Sequence, residues 1–516
     1  MRTRLNVLNL ESRITPNAYM VSNTNNAGPD SLRQAISDAN VHLGPDTITF
    51  DAFTFAVPQT INLSGQLAIN DPVTIVGPGS VALTVTNTAA QSTTSRVLEV
   101  LYTSAKITGM KLTGGNCTNS GGGVYIYNST VTMDDVTASS NYSTQDGGGI
   151  AIENGSSLTL TNSTVSNNFA KLWGGGIEVD GDGSSLTLSN SSVSSNQADP
   201  TNVYSFGGGI SAELNTVLSI DRCTIANNKS GGSGGGICDA WTNVLVLSSA
   251  SISLTNSTIV GNQAVLANLS NYQADEFGGG GINIGLSDAT IALCTVSGNS
   301  AVNVSNGHGT YGGGIACDPG AIINSCTIVN NAAAGFGGGI APGFTSAWGS
   351  WTATSITNSI IYGNTVLPGL GKGPDVYGGI NADHCLFGTE SGVTFYADAG
   401  NIAAVDPHLG PLANNGGPTM TCMLQTGSIA LDAGINPTLL VSDQRRRRTG
   451  ARRREALASL RAAGATPESP CRAGKRARKH FAPFPRRRSP SISSDTDGRS
   501  TRGGRDSREC RCVREV

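Results

Sequence analysis

Residues 163–177 read STVSNNFAKLWGGGI, and much of that phrase returns along the chain. It comes back as SSVSSNQA at 191–198 with SFGGGI at 205–210, as CTIANN at 223–228 with SGGGI at 233–237, and as STIVGNQA at 257–264 with FGGGGI at 277–282. Glycine triplets begin at Gly121, Gly147, Gly174, Gly207, Gly234, Gly279, Gly312 and Gly337, with a doublet at Gly378. The triplets stand 26, 27, 33, 27, 45, 33 and 25 residues apart, a unit of about 26 lengthened by insertions such as VLANLSNYQADEF. A fixed period of this size means stacked units rather than several separate domains.

Inside the unit the apolar residues alternate with period two over four to six residues, as in GGGIEV, SSLTLSN and SSVSSN between Gly174 and Asn196. Gly, Asn, Asp and Ser separate these runs, so each unit holds three short strands. Equivalent strands recur one unit apart and therefore lie side by side in parallel, each unit burying its apolar face against the next. The fold class that follows is all-β: a right-handed parallel β-helix, its hand set by the general preference of parallel crossovers. About 340 residues at 26 per coil give roughly 12 to 13 coils, near 60 Å at ~4.8 Å per coil.

Composition fits a rod of strands. Of 516 residues 67 are Gly, aromatics are 5% and charged residues 13%, too few helix-forming charges for a bundle. The net charge of −3 joins two unlike parts, with 11 Lys+Arg against 29 Asp+Glu up to residue 444 and 22 against 7 from 445 onward. Eleven cysteines form no CxxC pair, and Cys223, Cys294 and Cys326 each replace the Ser of an NST-like phrase, so they read as small buried side chains. The first twenty residues hold no apolar run of the length a signal peptide needs. No segment approaches ~18 consecutive apolar residues, so no transmembrane helix is expected.

The repeat assigns roles. Ile150, Ile177, Ile210, Ile237, Ile282, Ile315 and Ile340 stack inward, as do Leu158/Leu160, Leu186/Leu188 and the row Val165, Val193, Ile225, Ile259, Val296, Ile328. Asn168, Asn196, Asn228, Asn262, Asn299, Asn331 and Asn364 close the third strand, where Asn tolerates the left-handed conformation and bonds its own turn. Six glycine clusters follow an aromatic: Trp173, Phe206, Phe277, Tyr311, Phe336 and Tyr377. Stacked one turn apart, these rings would offer a glycan-binding ribbon; the alternative is a structural stack at a coil corner.

The ends need caps. GPDSLRQAISDAN offers Asp30 or Ser31 as an N-cap and Leu32, Ala35, Ile36 and Ala39 as one apolar helix face, followed by the strand DTITFDA. VSNTNNAGPDSLRQAISDAN with DTITFD resembles the opening segment of bacterial surface β-helix proteins, and the GGGI and SNN phrases resemble the repeats of polymorphic outer membrane proteins. DPHLGPLANNGGPTMTCMLQTGSIALDAG, residues 406–434, resembles the choice-of-anchor Q module of exported proteins, and LESRITP at 10–16 resembles the opening of exported planctomycete proteins. The resemblance implies an exported surface protein, often an adhesin. It departs in two places: no translocator barrel follows, and VSDQR at 441–445 switches at once to RRRTGARRREALASLRAAG. That break inside a motif reads as frameshifted translation into a disordered tail, the rival being a basic arm for anionic partners.

Catalytic signals are sparse. Gly307-His308-Gly309 and the pair Asp134-Asp135 resemble polygalacturonase elements, yet 173 residues separate Asp134 from Gly307 and no partner motif accompanies them. Between residues 97 and 400 the cations Lys106, Lys111, Lys171, Arg222, Lys229 and Lys372 are scattered, and no candidate base stands beside an acid cluster. Asp180, Asp182 and Asp199 read as solvated turn carboxylates, with structural Ca²⁺ the alternative; no cofactor or metal is otherwise expected. The expected organisation is a leader over 1–20, a cap over 21–56, the β-helix over 57–400, an anchor-Q-like module over 401–444 and the tail over 445–516. The expected protein is a non-enzymatic, monomeric rod, extracellular or at the cell surface or outer membrane, displaying a face to a surface glycan or protein ligand and not to nucleic acid. The competing class is a carbohydrate-active enzyme, a polysaccharide lyase or hydrolase.

Overall fold

The computed structural model describes residues 16–445 apart from 214, 240–249, 267–277, 286, 303–309, 318–319, 344–352, 370, 404 and 436–441. Residues 1–15 of the expected leader and the tail beyond Arg445 lie outside the described residues, whereas Ala18–Val21, across the expected boundary between leader and cap, is a strand paired in parallel with Asp46–Phe50. What is described is a right-handed parallel β-helix: every strand pairing is parallel and one coil apart, except one antiparallel hairpin near the end.

A coil carries four strands rather than the three expected, seen in Ile177–Val179, Ser185–Ser189, Ser192–Ser194 and Gln197–Ala198 before the next coil opens at Ile210–Ala212. The fourth has only two residues, too few for an alternation to show in sequence. First strands build a ten-stranded sheet and fourth strands a nine-stranded one. Second and third strands meet at a tight turn and are joined into one sheet by the continuous strands Ser104–Thr113 and Thr130–Ser139.

Register follows the repeat. Ile150, Ile177, Ile210, Ile237, Ile282, Ile315 and Ile340 are consecutive partners and buried. The expected Leu pairs and the Val165-to-Ile328 row stack likewise. Each such side chain contributes about 1.5–3 kcal/mol by leaving water, and no coil could bury it alone.

The asparagines do something other than expected. Left-handed backbone falls one residue earlier, at Asn167, Ser195, Asn227, Gly261, Gly298, Asn330 and Gly363. Asn168 to Asn364 instead turn inward as a buried amide ladder: each Nδ2 donates to the Oδ1 of its successor at 2.9–3.0 Å and to a backbone carbonyl of the coil before. The ladder begins at Asn141 and ends on Asp375 Oδ1. The glycine triplet makes room for it: a Cβ on Gly176 would stand 2.6 Å from Gly209 O and 2.9 Å from Asn196 Nδ2.

Cys223, Cys294 and Cys326 occupy the inward serine row, and all eight described cysteines are buried. The helix Leu32–Val41 caps the start as expected, with Ser31 accepting from Gln34 N and Leu32, Ala35, Ile36 and Ala39 buried. At the other end the strand pair Leu409–Ala413 and Thr421–Leu424 is antiparallel and lies against the third-strand flank. Thr258 Oγ1 donates to Met420 O at 2.6 Å, and Gln444 Nε2 donates to Ser257 O at 3.1 Å. Arg445, which the sequence places first in the tail, is buried and ion-paired with Asp443 at 2.7 Å.

Candidate functional site

The outward face of the ten-stranded sheet is where chemistry collects. Just after the buried residue that opens each first strand (Leu98, Val124, Ile150, Ile177, Ile210, Ile237) comes an outward position, which on successive coils is Glu99, Tyr125, Ala151, Glu178, Ser211 and Cys238. Two residues further on, Tyr127 pairs with Glu153, and the bonds Asp180 N to Ile152 O and Glu213 N to Val179 O carry that row on through Asp180 and Glu213. The residue before each glycine triplet forms a third row, in which Asp146 is followed one coil on by Trp173 and then Phe206. Three rows from neighbouring coils thus bring Asp146, Glu153, Glu178, Asp180 and Glu213 together.

The electrostatics are one-sided. Glu178 is 1% exposed, and neither carboxylate oxygen has a hydrogen bond of good geometry, although the Ser211 hydroxyl is beside it. Its Oε2 lies over Gly174, where a Cβ would stand 2.7 Å away. Burial, then the charges of Glu213, Asp146 and Asp180, hold the Glu178 carboxyl well above the usual range. Glu213 is pushed up to about 8 by burial and the charges of Asp180, Asp146 and Asp239. Asp146 rises to about 6, chiefly through burial, although it accepts from Trp173 N at 3.0 Å. These carboxyls keep protons to pH values where solvated acids have lost them.

Aromatic rings edge the cluster. The Tyr125 hydroxyl donates to Glu153 Oε2 at 2.8 Å, Arg96 lies 4.5 Å over the Tyr125 ring and pairs with Glu99 at 3.2 Å, and Tyr127 stacks on Tyr125 at 6.1 Å. The Trp173 ring is half-buried beside Val203, Phe206, Cys238 and Leu266, its Nε1 donating to Tyr204 O at 3.0 Å.

The six expected aromatics do not form one ribbon. Trp173, Phe206, Tyr311 and Phe336 hold the position before a triplet, but Ser233 and Gly278 interrupt the row and Lys372 ends it. Phe206 is buried. Phe277 lies outside the described residues. The Gly378 doublet is no corner: it opens the strand Gly378–Asp383 in another sheet, and Gly373 is the true counterpart of Gly337. Tyr377 nevertheless stands 4.6 Å from Phe336, which stacks on Tyr311 at 5.1 Å.

Other candidates resolve simply. Asp134 accepts from Thr161 and Asn162, and Asp135 from Ser80, so that pair ties coils together. Gly307, His308 and Gly309 lie outside the described residues. Asp182 accepts from Asn215 and Asp199 from Thr201, in separate turns, while Asp180 joins the acidic face. Among the described residues no three His, Cys, Asp or Glu side chains are placed to hold one metal ion. The sequence reading found no acid cluster; the structure assembles one from residues up to 67 positions apart. The available signal was a charged residue directly after the inward Ile, as in GGGIEV.

Residues 75–243, which span this face, match the right-handed β-helix region family. No curated protein matches the chain in sequence. Among solved structures it is similar to the ORF18 protein of Geobacillus virus E2, at 12% identity and TM-score 0.40 over 79% of this chain and 65% of that one. The chain therefore spans less than two thirds of that relative. It is also similar to the pectate lyase Pel9A, at 14% identity and TM-score 0.40 over 86% of this chain and 98% of that one. A third likeness is to PfbA, a surface adhesin of Streptococcus pneumoniae, at 13% identity and TM-score 0.33 over 72% and 92%. No described helix is long and apolar enough to cross a membrane.

Proposed function

We propose that the chain is an exported, non-enzymatic surface rod that holds a glycan along the outward face of its ten-stranded sheet, serving adhesion or display. The observation that supports this reading most is the half-buried Trp173, whose backbone N–H donates to Asp146, with Tyr125 and Tyr127 further along the same face. Flat rings suit the apolar faces of sugars, and carboxylates accept from their hydroxyls. The anchor-Q-like segment at 406–434 fits an exported protein. A glycan array with the full chain tests this: retention of oligosaccharides that Trp173→Ala weakens at least tenfold supports it, and a silent array contradicts it.

A second reading, a glycoside-cleaving enzyme, is favoured by one observation. Glu213 and Asp146 have raised proton affinities, the property a general acid needs near neutral pH. Release of reducing or unsaturated ends from a polysaccharide panel, abolished by Glu213→Gln, would establish that reading in place of the first.

A further inference from the structure

Five carboxylates on one face pose a problem that a neutral sugar does not solve. Glu178 is almost wholly buried, without a hydrogen bond of good geometry, and feels the charges of Glu213, Asp146 and Asp180. Among the described residues the charges acting on Glu178 and Glu213 are negative, and the guanidinium of Arg96 lies instead over Tyr125 and against Glu99. A buried unpaired carboxylate is costly and is normally matched by a cation. Convergence on a single metal ion is not what the geometry offers, since Glu153, Asp180 and Glu213 succeed one another at one register position on three coils, spaced at ~4.8 Å. Such a line suits a polymer presenting positive charge at intervals. Uronate polymers would meet only repulsion.

We propose that this face recognises a glycan carrying free amino groups, with one ammonium seated against Glu178 and Asp180 and its neighbour on the next coil against Glu213. The proposal rests on the glycan-binding reading and names its substrate class. An ammonium brings three donors and no acceptor, supplying what Glu178 lacks, while Trp173 and Tyr125 flank the sugar rings. Carboxyls that hold protons when the face is empty must release them as ammonium groups arrive.

Titration calorimetry of the full chain at about pH 7 with a glucosamine hexamer, its N-acetylated counterpart and a hexamer of galacturonate tests this. The free amine is expected to bind at least tenfold more tightly than the N-acetyl form, with proton release read from the dependence of the heat on buffer. Galacturonate should not bind. Glu178→Gln should remove the preference, and Asp180→Asn supplies a second variant should the first fail to fold. Asp398→Asn, at an exposed site in another sheet, should change nothing. Equal binding of the free and N-acetylated hexamers, or a preference that survives Glu178→Gln and Asp180→Asn, overturns the proposal and leaves the glycan reading standing. Binding of no glycan at all overturns both.

Discussion

Asn168 Nδ2 donates to Asn196 Oδ1 at 2.9 Å, one coil further along and inside the rod. The bond is one link in a buried chain of amides from Asn141 to Asp375, which couples coils that pack side by side. Chains of hydrogen bonds in a low-dielectric interior polarise one another, and a missing link leaves its neighbours unsatisfied.

Asn196→Ala should therefore cost more than the lost side chain. It removes the acceptor for both the Asn168 amide and its backbone N–H. A loss of roughly 2–5 kcal/mol is expected, measured as a lower urea midpoint. An unchanged midpoint would mean that the ladder adds nothing to stability.

Glycine substitutions should separate by position. Gly176→Ala places a Cβ 2.6 Å from Gly209 O, where stacked backbone on both sides cannot yield, so a loss above about 3 kcal/mol or failure to fold is expected. Gly65→Ala meets nothing within 4 Å and should stay within about 0.5 kcal/mol. Thermal melts of the two variants side by side check the contrast.

Stability should fall as pH rises through the neutral range. The folded Glu213 carboxyl is pushed up to about 8 from an ordinary value of 4.5, so between these values the folded chain binds more protons than the unfolded chain. Unfolding then releases protons and becomes easier with increasing pH. Asp146, raised to about 6, adds to the trend between 3.8 and 6. Melting temperatures from pH 5 to 8 should decline, and Glu213→Gln should flatten the curve; a rising curve contradicts the assignment.

The returning C-terminal segment should depend on Gln444, whose side chain bonds Ser257 O, Thr295 Oγ1 and Thr419 Oγ1. Gln444→Ala leaves buried partners unmatched, costing about 1–3 kcal/mol. Faster protease cleavage between residues 409 and 424, with the coils intact, is the expected readout.

Most of the rod was legible because a buried Ile or Leu at fixed phase is a local signal repeated many times. Ile177 and Ile210 share a register although 33 residues separate them, since the triplets mark every corner. The direction of Asn196 was not legible: an Asn at a turn suits both a left-handed backbone and an inward amide, and only the αL geometry of Ser195 decides between them. The acidic face was hidden for a different reason. Asp146, Glu178 and Glu213 belong to three rows, and their adjacency exists only once insertions of unequal length have been taken up. Tyr377 misled because proximity to glycines is not the same as register with them.

The claim on which the site rests is that carboxylates 33 residues apart in sequence act on one another as neighbours. The most direct test follows the titration of Glu213 by carbon NMR in the selectively labelled chain and in Asp180→Asn. A midpoint near 8 that drops when the Asp180 charge is removed is the result expected. A midpoint near 4.5, indifferent to Asp180→Asn, would contradict it.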